Sequence, residues 1–316
     1  MLKNVDSKDL AILRELDQNV RVSAAQIGRK TRLSKEVVQY RIKKLEERKI
    51  ITNYWAFINQ EFLHIYKILI KNRNLAGEKR KEFIEFVKNH KNASWFATTE
   101  GNFDYIITTN AQSNKEIIEF TEELFKRYGS YFQEKHILKA VSATITNEKF
   151  LYPNGRFIYN YVLEPKSAII PEDEIEQKLL REISSNSRAR FTELAPKLKL
   201  TAEAVAQRFK RIMKKKLVTG LKMRLNLENL GLSHHHMFIA LRNQSAKEKI
   251  ISYYTMHPDF NSMMLHIGYY DMHLEFMLPE DKIQDVIEDF ITRFGDNVAS
   301  YELLNIREEH VMNIIK

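Results

Sequence analysis

The sequence predicts an α+β protein in which two kinds of domain alternate and each occurs twice. Three observations predict it: a repeat at a constant offset of 167 residues, a basic excess confined to two segments, and a change of pattern midway through each copy. The pattern moves there from helical spacing to alternating strand-like and helix-like runs.

The repeat is clearest between VVQYRIKKLEERKII at 37–51 and AVAQRFKRIMKKKLV at 204–218. Across residues 13–52 there are 13 identities in 40 ungapped positions, among them Leu13-Arg14-Glu15 with Leu180-Arg181-Glu182 and Leu33 with Leu200. EGNFDY at 100–105 and IGYYDM at 267–272 keep the same offset, which implies a tandem duplication.

In the first copy, Leu10, Leu13 and Leu16 step as a helix. Ser23 precedes a short second helix, and Ser34 stands as N-cap before a longer third one with Val38, Ile42 and Leu45 as its buried stripe. Thr192 and Thr201 are the expected caps in the second copy, where Pro196 threatens to distort the short helix. A short helix, a tight turn, a cap and a basic helix make a helix-turn-helix.

Tyr66–Lys71 then reads as a strand, Glu78–Asn89 as a helix, Ser94–Thr99 and Phe103–Thr109 as a hairpin, Lys115–Tyr128 as a helix and Tyr131–Val141 as a closing strand. The second copy places strands near His236–Leu241, Asn261–His266, Asp271–Leu278 and Val298–Ile306. The resulting layout is two winged helix-turn-helix domains at 1–53 and 172–220, alternating with two ferredoxin-like βαββαβ domains at 54–150 and 221–316. Residues 151–171, with an extra strand expected at Phe157–Leu163, form the linker.

The chain has 316 residues, 44% of them hydrophobic and 29% charged, as folded globular protein does. With no cysteine, disulfides and thiolate metal sites are excluded. No run approaches the ~18 apolar residues of a membrane helix. The start, MLKNVDSKDL, is too polar for a secretory signal, so the expectation is a cytoplasmic protein without a membrane partner.

Charge points to function. The net charge is +9, yet residues 6–52 hold 12 Lys/Arg against 7 Asp/Glu and residues 173–219 hold 12 against 6, so the rest of the chain is slightly acidic. An excess concentrated on the two helix-turn-helix segments fits a phosphate-backbone footprint and makes double-stranded DNA the expected partner. With Val38 at the centre of the buried face, a 100° step per residue turns Gln39, Tyr40 and Lys43 outward with Lys44 flanking. Lys35 stands at the helix start and Arg41 at the edge of the buried stripe. Gln39 and Tyr40 suit base edges, the lysines phosphate or guanine. Arg41 has an equal claim to packing its stem against a local acid. The second copy offers Gln207, Arg208, Lys210, Arg211 and Lys214, with Ala206 where the first has Gln39, so the two helices should not read the same bases.

Seven histidines crowd the second copy: His234, His235, His236, His257, His266, His273 and His310. Neighbours on a strand point to alternate faces, so at most two of the adjacent three share a side. With no carboxylate at ligand spacing in the sequence, ordinary strand and cap histidines are the expectation, with no metal and no cofactor. No P-loop, GxSxG or HExxH is present, which argues against an enzyme.

VQYRIKKLEERKII, the opening Asp6-x-x-Asp9 with Ile12-Leu13, and EGNFD at 100–104 together resemble the leucine-responsive/asparagine-regulator (Lrp/AsnC) family of transcription factors, here doubled and archaeal in flavour. The resemblance covers nearly the whole chain, twice. It implies a sequence-specific transcriptional regulator, assembled as a homodimer or larger, with an amino-acid-like effector near the hairpin glycine. On that ground Gly101, Asp104, Gly268 and Asp271 are the candidate effector residues. Two departures stand out: Lys49 and Lys216 occupy the place where the family has glycine, and Glu100 and Ile267 the place of its threonine. Sirohaem decarboxylases resemble the same family and give an enzymatic alternative; a chromatin-like nonspecific DNA binder is another.

Overall fold

The computed structural model describes residues 2–58, 64–111, 113–152, 160–163 and 171–312. In the first copy these form α1 (Ser7–Gln18), α2 (Ala24–Thr31), α3 (Lys35–Glu47), β1 (Ile51–Ile58), β2 (His64–Asn72), α4 (Gly77–Asn89), β3 (Ala93–Glu100), β4 (Tyr105–Ala111), α5 (Asn114–Tyr128) and β5 (Phe132–Thr146). A short strand, β6 (Asn160–Leu163), falls in the expected linker, most of which lies outside the described residues. The second copy gives α6 (Glu174–Ser185), α7 (Phe191–Leu198), α8 (Ala202–Lys214), β7 (Val218–Leu225), α9 (Leu227–Leu230), β8 (Ser233–Leu241), α10 (Lys247–Met256), β9 (Phe260–Ile267), β10 (Met272–Leu278), α11 (Ile283–Phe294) and β11 (Val298–Met312).

These elements gather like with like. One compact unit takes Met1–Asn59, Thr146–Tyr161 and Ala168–Leu232, hence both three-helix segments; the other takes Gln60–Ile145, Val162–Ser167 and Ser233–Lys316.

In the first unit the helices start where side chains can satisfy their free N–H groups. The Asp6 carboxylate accepts from Asp9 N and Asp9 returns the bond. Ser23 and Gln26 do the same for α2, Ser34 accepts from Val37 N, and Thr201 accepts from Ala204 N. Thr192 is not a cap, contrary to expectation: α7 begins at Phe191, and the Glu193 carboxylate reaches back to Arg190 N instead. Pro196 sits inside α7, which nevertheless runs the same eight residues as α2.

The wing is a second correction. Neither copy folds the strand after its basic helix into a hairpin among the described residues. β1 instead pairs antiparallel with β7, Ile51 opposite Leu225 and Ile58 opposite Val218. The reason lies in composition: Tyr54, Ala56, Phe57, Ile58, Val218, Leu221 and Met223 are buried, and an exposed wing would leave that surface in water. The register is two-fold symmetric, since adding 167 to one pair gives the other. Around it Arg21 donates to Ser187 O and Arg188 to Val20 O, a reciprocal contact between positions related by the same offset. β1 and β7 cross the expected boundaries at 53/54 and 220/221.

In the second unit each copy runs β-α-β-β-α-β, with strand orders β5-β2-β4-β3 and β11-β8-β10-β9. β3 pairs with β11 and β9 with β5, so eight strands close into a ring. The long strands β5 and β11 make this possible: each pairs first within its own copy and then with the other. Phe83, Val87, Phe120 and Leu124 of α4 and α5 cover one face of the first copy's strands, and Ile250, Tyr254, Val286 and Phe290 of α10 and α11 do so for the second. The opposite faces meet in a core drawn from both copies, including Leu69, Phe103, Leu138, Phe238, Tyr270 and Leu304.

Candidate nucleic-acid interface

α3 buries Val38, Ile42 and Leu45 and leaves Lys35, Gln39, Tyr40, Lys43 and Lys44 exposed; Tyr40 is 62% accessible. α8 buries Val205 and Ile212 and exposes Gln207, Lys210, Arg211 and Lys214. The helical-wheel reading and the surface therefore agree on these nine.

Arg41 and Arg208 behave differently. Arg41 lies 2.8 Å from Asp6 and 2.7 Å from Asp9, and Arg208 lies 2.7 Å from Asp173. Both are half-buried, and each ties the basic helix to the capping aspartate of its copy's first helix. The Asp9 N–H that it caps, and then Arg41, hold Asp6 below the usual carboxylate range; Arg208 is the larger cause for Asp173. These ion pairs tie α3 and α8 to the first helix of their copy. On α8, Lys215 is occupied as well, at 2.6 Å from Glu172 and 3.1 Å from Glu176, and Arg211 stands 3.6 Å from Glu172. Lys44 pairs with Glu47 at 2.8 Å. Among the described residues Lys35, Gln39, Gln207, Lys210 and Lys214 make no side-chain hydrogen bond or ion pair.

Four further cations flank the recognition helices. Arg32 and Lys199 end α2 and α7, and Lys49 and Lys216 follow α3 and α8; all four are exposed and hold φ between 54° and 59°. A left-handed residue with a Cβ costs about 1–2 kcal/mol, so glycine or asparagine would fit better. Strain retained at four equivalent basic positions around the exposed helices points to a use for the charge. Only Lys49 and Lys216 stood out in the sequence, by replacing the expected glycine; Arg32 and Lys199 gave no such signal.

The effector candidates prove to be built into the strand ends. Asp104 Oδ2 accepts from Asn72 N at 2.6 Å, and Asp271 accepts from Leu241 N and Gln244 Nε2, each at 2.6 Å. Gly101 (φ +133°) and Gly268 (φ +152°) press against the other copy: a Cβ on Gly101 would lie 2.5 Å from Leu303 O, and one on Gly268 2.8 Å from Leu138 Cδ2. Beside Asp104 opens a cleft of about 380 Å³ lined by Asn72, Gly77, Arg80, Thr99, Glu100 and Arg307, with Glu100 and Arg307 ion-paired on its wall.

The AsnC-type helix-turn-helix domain matches this chain twice, at residues 5–46 and 173–213. An uncharacterized HTH-type transcriptional regulator of Pyrococcus horikoshii is 25% identical over 145 residues, 45% of this chain and 97% of that one. HTH-type transcriptional regulator Ptr1 of Methanocaldococcus jannaschii is 32% identical over 102 residues, 32% of this chain and 69% of that one. Among solved structures, the siroheme decarboxylase NirDL shares the fold across both copies, with a TM-score of 0.65 at 13% identity, covering 98% of this chain and 94% of that one. No helix among the described residues is long and apolar enough to cross a membrane.

Proposed function

Because the chain belongs to the Lrp/AsnC family of transcriptional regulators and carries that family's helix-turn-helix domain twice, we propose that it reads a bipartite, asymmetric DNA site with two unlike recognition helices held in one polypeptide. The observation that carries this reading is the first unit: two exposed basic helices joined by a two-fold symmetric ribbon and a reciprocal arginine contact. In family terms the layout is two helix-turn-helix modules and two ferredoxin-like regulatory domains. One chain supplies what two protomers supply to a palindrome.

Gln39 and Tyr40 would contact base edges from α3, and Gln207 from α8. Lys35, Lys43, Lys44, Lys210, Arg211 and Lys214 would engage phosphates, joined by Arg32, Lys49, Lys199 and Lys216. Arg41 and Arg208 would position their helices. A small amino-acid-like effector would occupy the cleft beside Asp104 and Glu100 and bias the pairing of the two copies.

Selection of genomic fragments by the full-length chain at ~0.15 M salt tests the proposal. The expected result is a few enriched sites with two unlike parts at fixed spacing, near a whole number of ~10 bp turns. Uniform recovery of bulk DNA would overturn it in favour of nonspecific, chromatin-like binding. The fold shared with NirDL makes a tetrapyrrole enzyme the competing reading. Two exposed cationic helices argue against it, and a tetrapyrrole absorbance band in the purified chain would argue for it.

A further inference from the structure

We propose that His234, His236 and Glu275 form a binding site for a divalent transition-metal ion of the zinc class. The strands bring them together: His234 and His236 share one face of β8, and Glu275 of β10 stands directly opposite His236 in the ladder. His236 Nε2 lies 3.2 Å from His234 Nε2 and 3.7 Å from Glu275 Oε1, and His234 Nε2 lies 3.5 Å from Glu275 Oε2. Two ligand atoms at tetrahedral angle around an ion bonded at ~2.05 Å are about 3.3 Å apart, so the donors already have the spacing of a first coordination sphere. Two imidazoles and a carboxylate suit Zn²⁺ and its neighbours over Ca²⁺ or Mg²⁺.

The surroundings are those of a held site. His236 is almost fully buried and is sandwiched between Trp95, 5.5 Å away and 8° from parallel, and His273, 5.3 Å away and 11° from parallel. His273 Nε2 lies 2.8 Å from Glu275 Oε1 and orients the carboxylate, as outer partners of metal ligands do. Lys67 Nζ lies 3.8 Å from Glu275 and 3.0 Å from His273 Nε2, and an ion in the site would compete with it for the carboxylate. A labile fourth position would fall on the His234 side, the more exposed of the two histidines.

The test uses tag-free, full-length protein stripped with a chelator and titrated with Co²⁺, read by its visible d–d absorption, then back-titrated with Zn²⁺. One equivalent per chain is expected, displaced by zinc, with a raised melting temperature. His234→Ala, His236→Ala and Glu275→Gln should each weaken binding about 100-fold or more, His273→Gln about 10-fold, and His257→Ala, on α10's C-cap, not at all. Should His236→Ala fail to fold, the more exposed His234→Ala decides. Absence of d–d bands, or bands that survive His234→Ala, would overturn the site. So would a macrocycle absorbance band with metal removable only together with it.

Discussion

The residue that says most is a lysine where the backbone asks for glycine. Lys49 and Lys216 hold φ of 56° and 59°. Lys49→Gly and Lys216→Gly should each stabilise the chain by about 0.5–1 kcal/mol by relieving left-handed strain, net of glycine's greater chain entropy. The same changes should weaken DNA binding and lower the slope of log K against log salt by about one unit each. A variant that gains stability and keeps its affinity would mean that these charges stay off DNA. Arg41 should behave in reverse. Arg41→Ala removes the tie to Asp6 and Asp9 and should lower stability by about 1 kcal/mol while leaving the salt slope nearly unchanged. Helical spacing sets Lys43 outward and Arg41 at the edge of the buried stripe but leaves Arg41's role open; the distances to Asp6 and Asp9 show that it is already engaged.

At the scale of elements, helix spans were legible because they depend on local spacing and caps. Ser23, Ser34 and Thr201 cap as their chemistry suggests. Thr192 does not, because the equivalent of Ser23 in the second copy is Arg190, and the helix start follows the fold over the best available hydroxyl. Strand partners were illegible: β1 with β7, and β3 with β11, join residues far apart in sequence, and a hydrophobic pattern specifies a face and not a partner. The same blindness hid Glu275, which only the ladder sets opposite His236. The two hairpin glycines now make an ordered prediction. A Cβ at Gly101 would meet backbone, Leu303 O at 2.5 Å, beside the Asn305–Glu100 pairing; at Gly268 it would meet first the flexible end of Leu138, with Ile137 O at 3.3 Å. Gly101→Ala should cost about 3 kcal/mol or more and Gly268→Ala less. Equal melting temperatures for the two would contradict the close approach of β11.

At the scale of the whole molecule, duplication has put both halves of a symmetric assembly into one chain and then let them diverge. Symmetry survives where two copies must fit each other, in the β1–β7 register and in Arg21 and Arg188, and is lost where each faces outward, as Gln39 and Tyr40 became Ala206 and Gln207. The sequence leaves open whether the two regulatory domains pair within one chain or between chains, with a homodimer or larger expected either way; the pairing of β3 with β11 and of β5 with β9 is the within-chain alternative. Binding to a selected site should therefore saturate at one chain per bipartite site, measured by titration at DNA concentrations well above Kd. Replacing one half of the site with an inverted copy of the other, which a palindromic reader would tolerate, should cost about 1–3 kcal/mol for each base pair misread by α3 or α8. Two chains per site, or indifference to that replacement, would show that each chain uses one helix and that the second copy serves only to complete the fold.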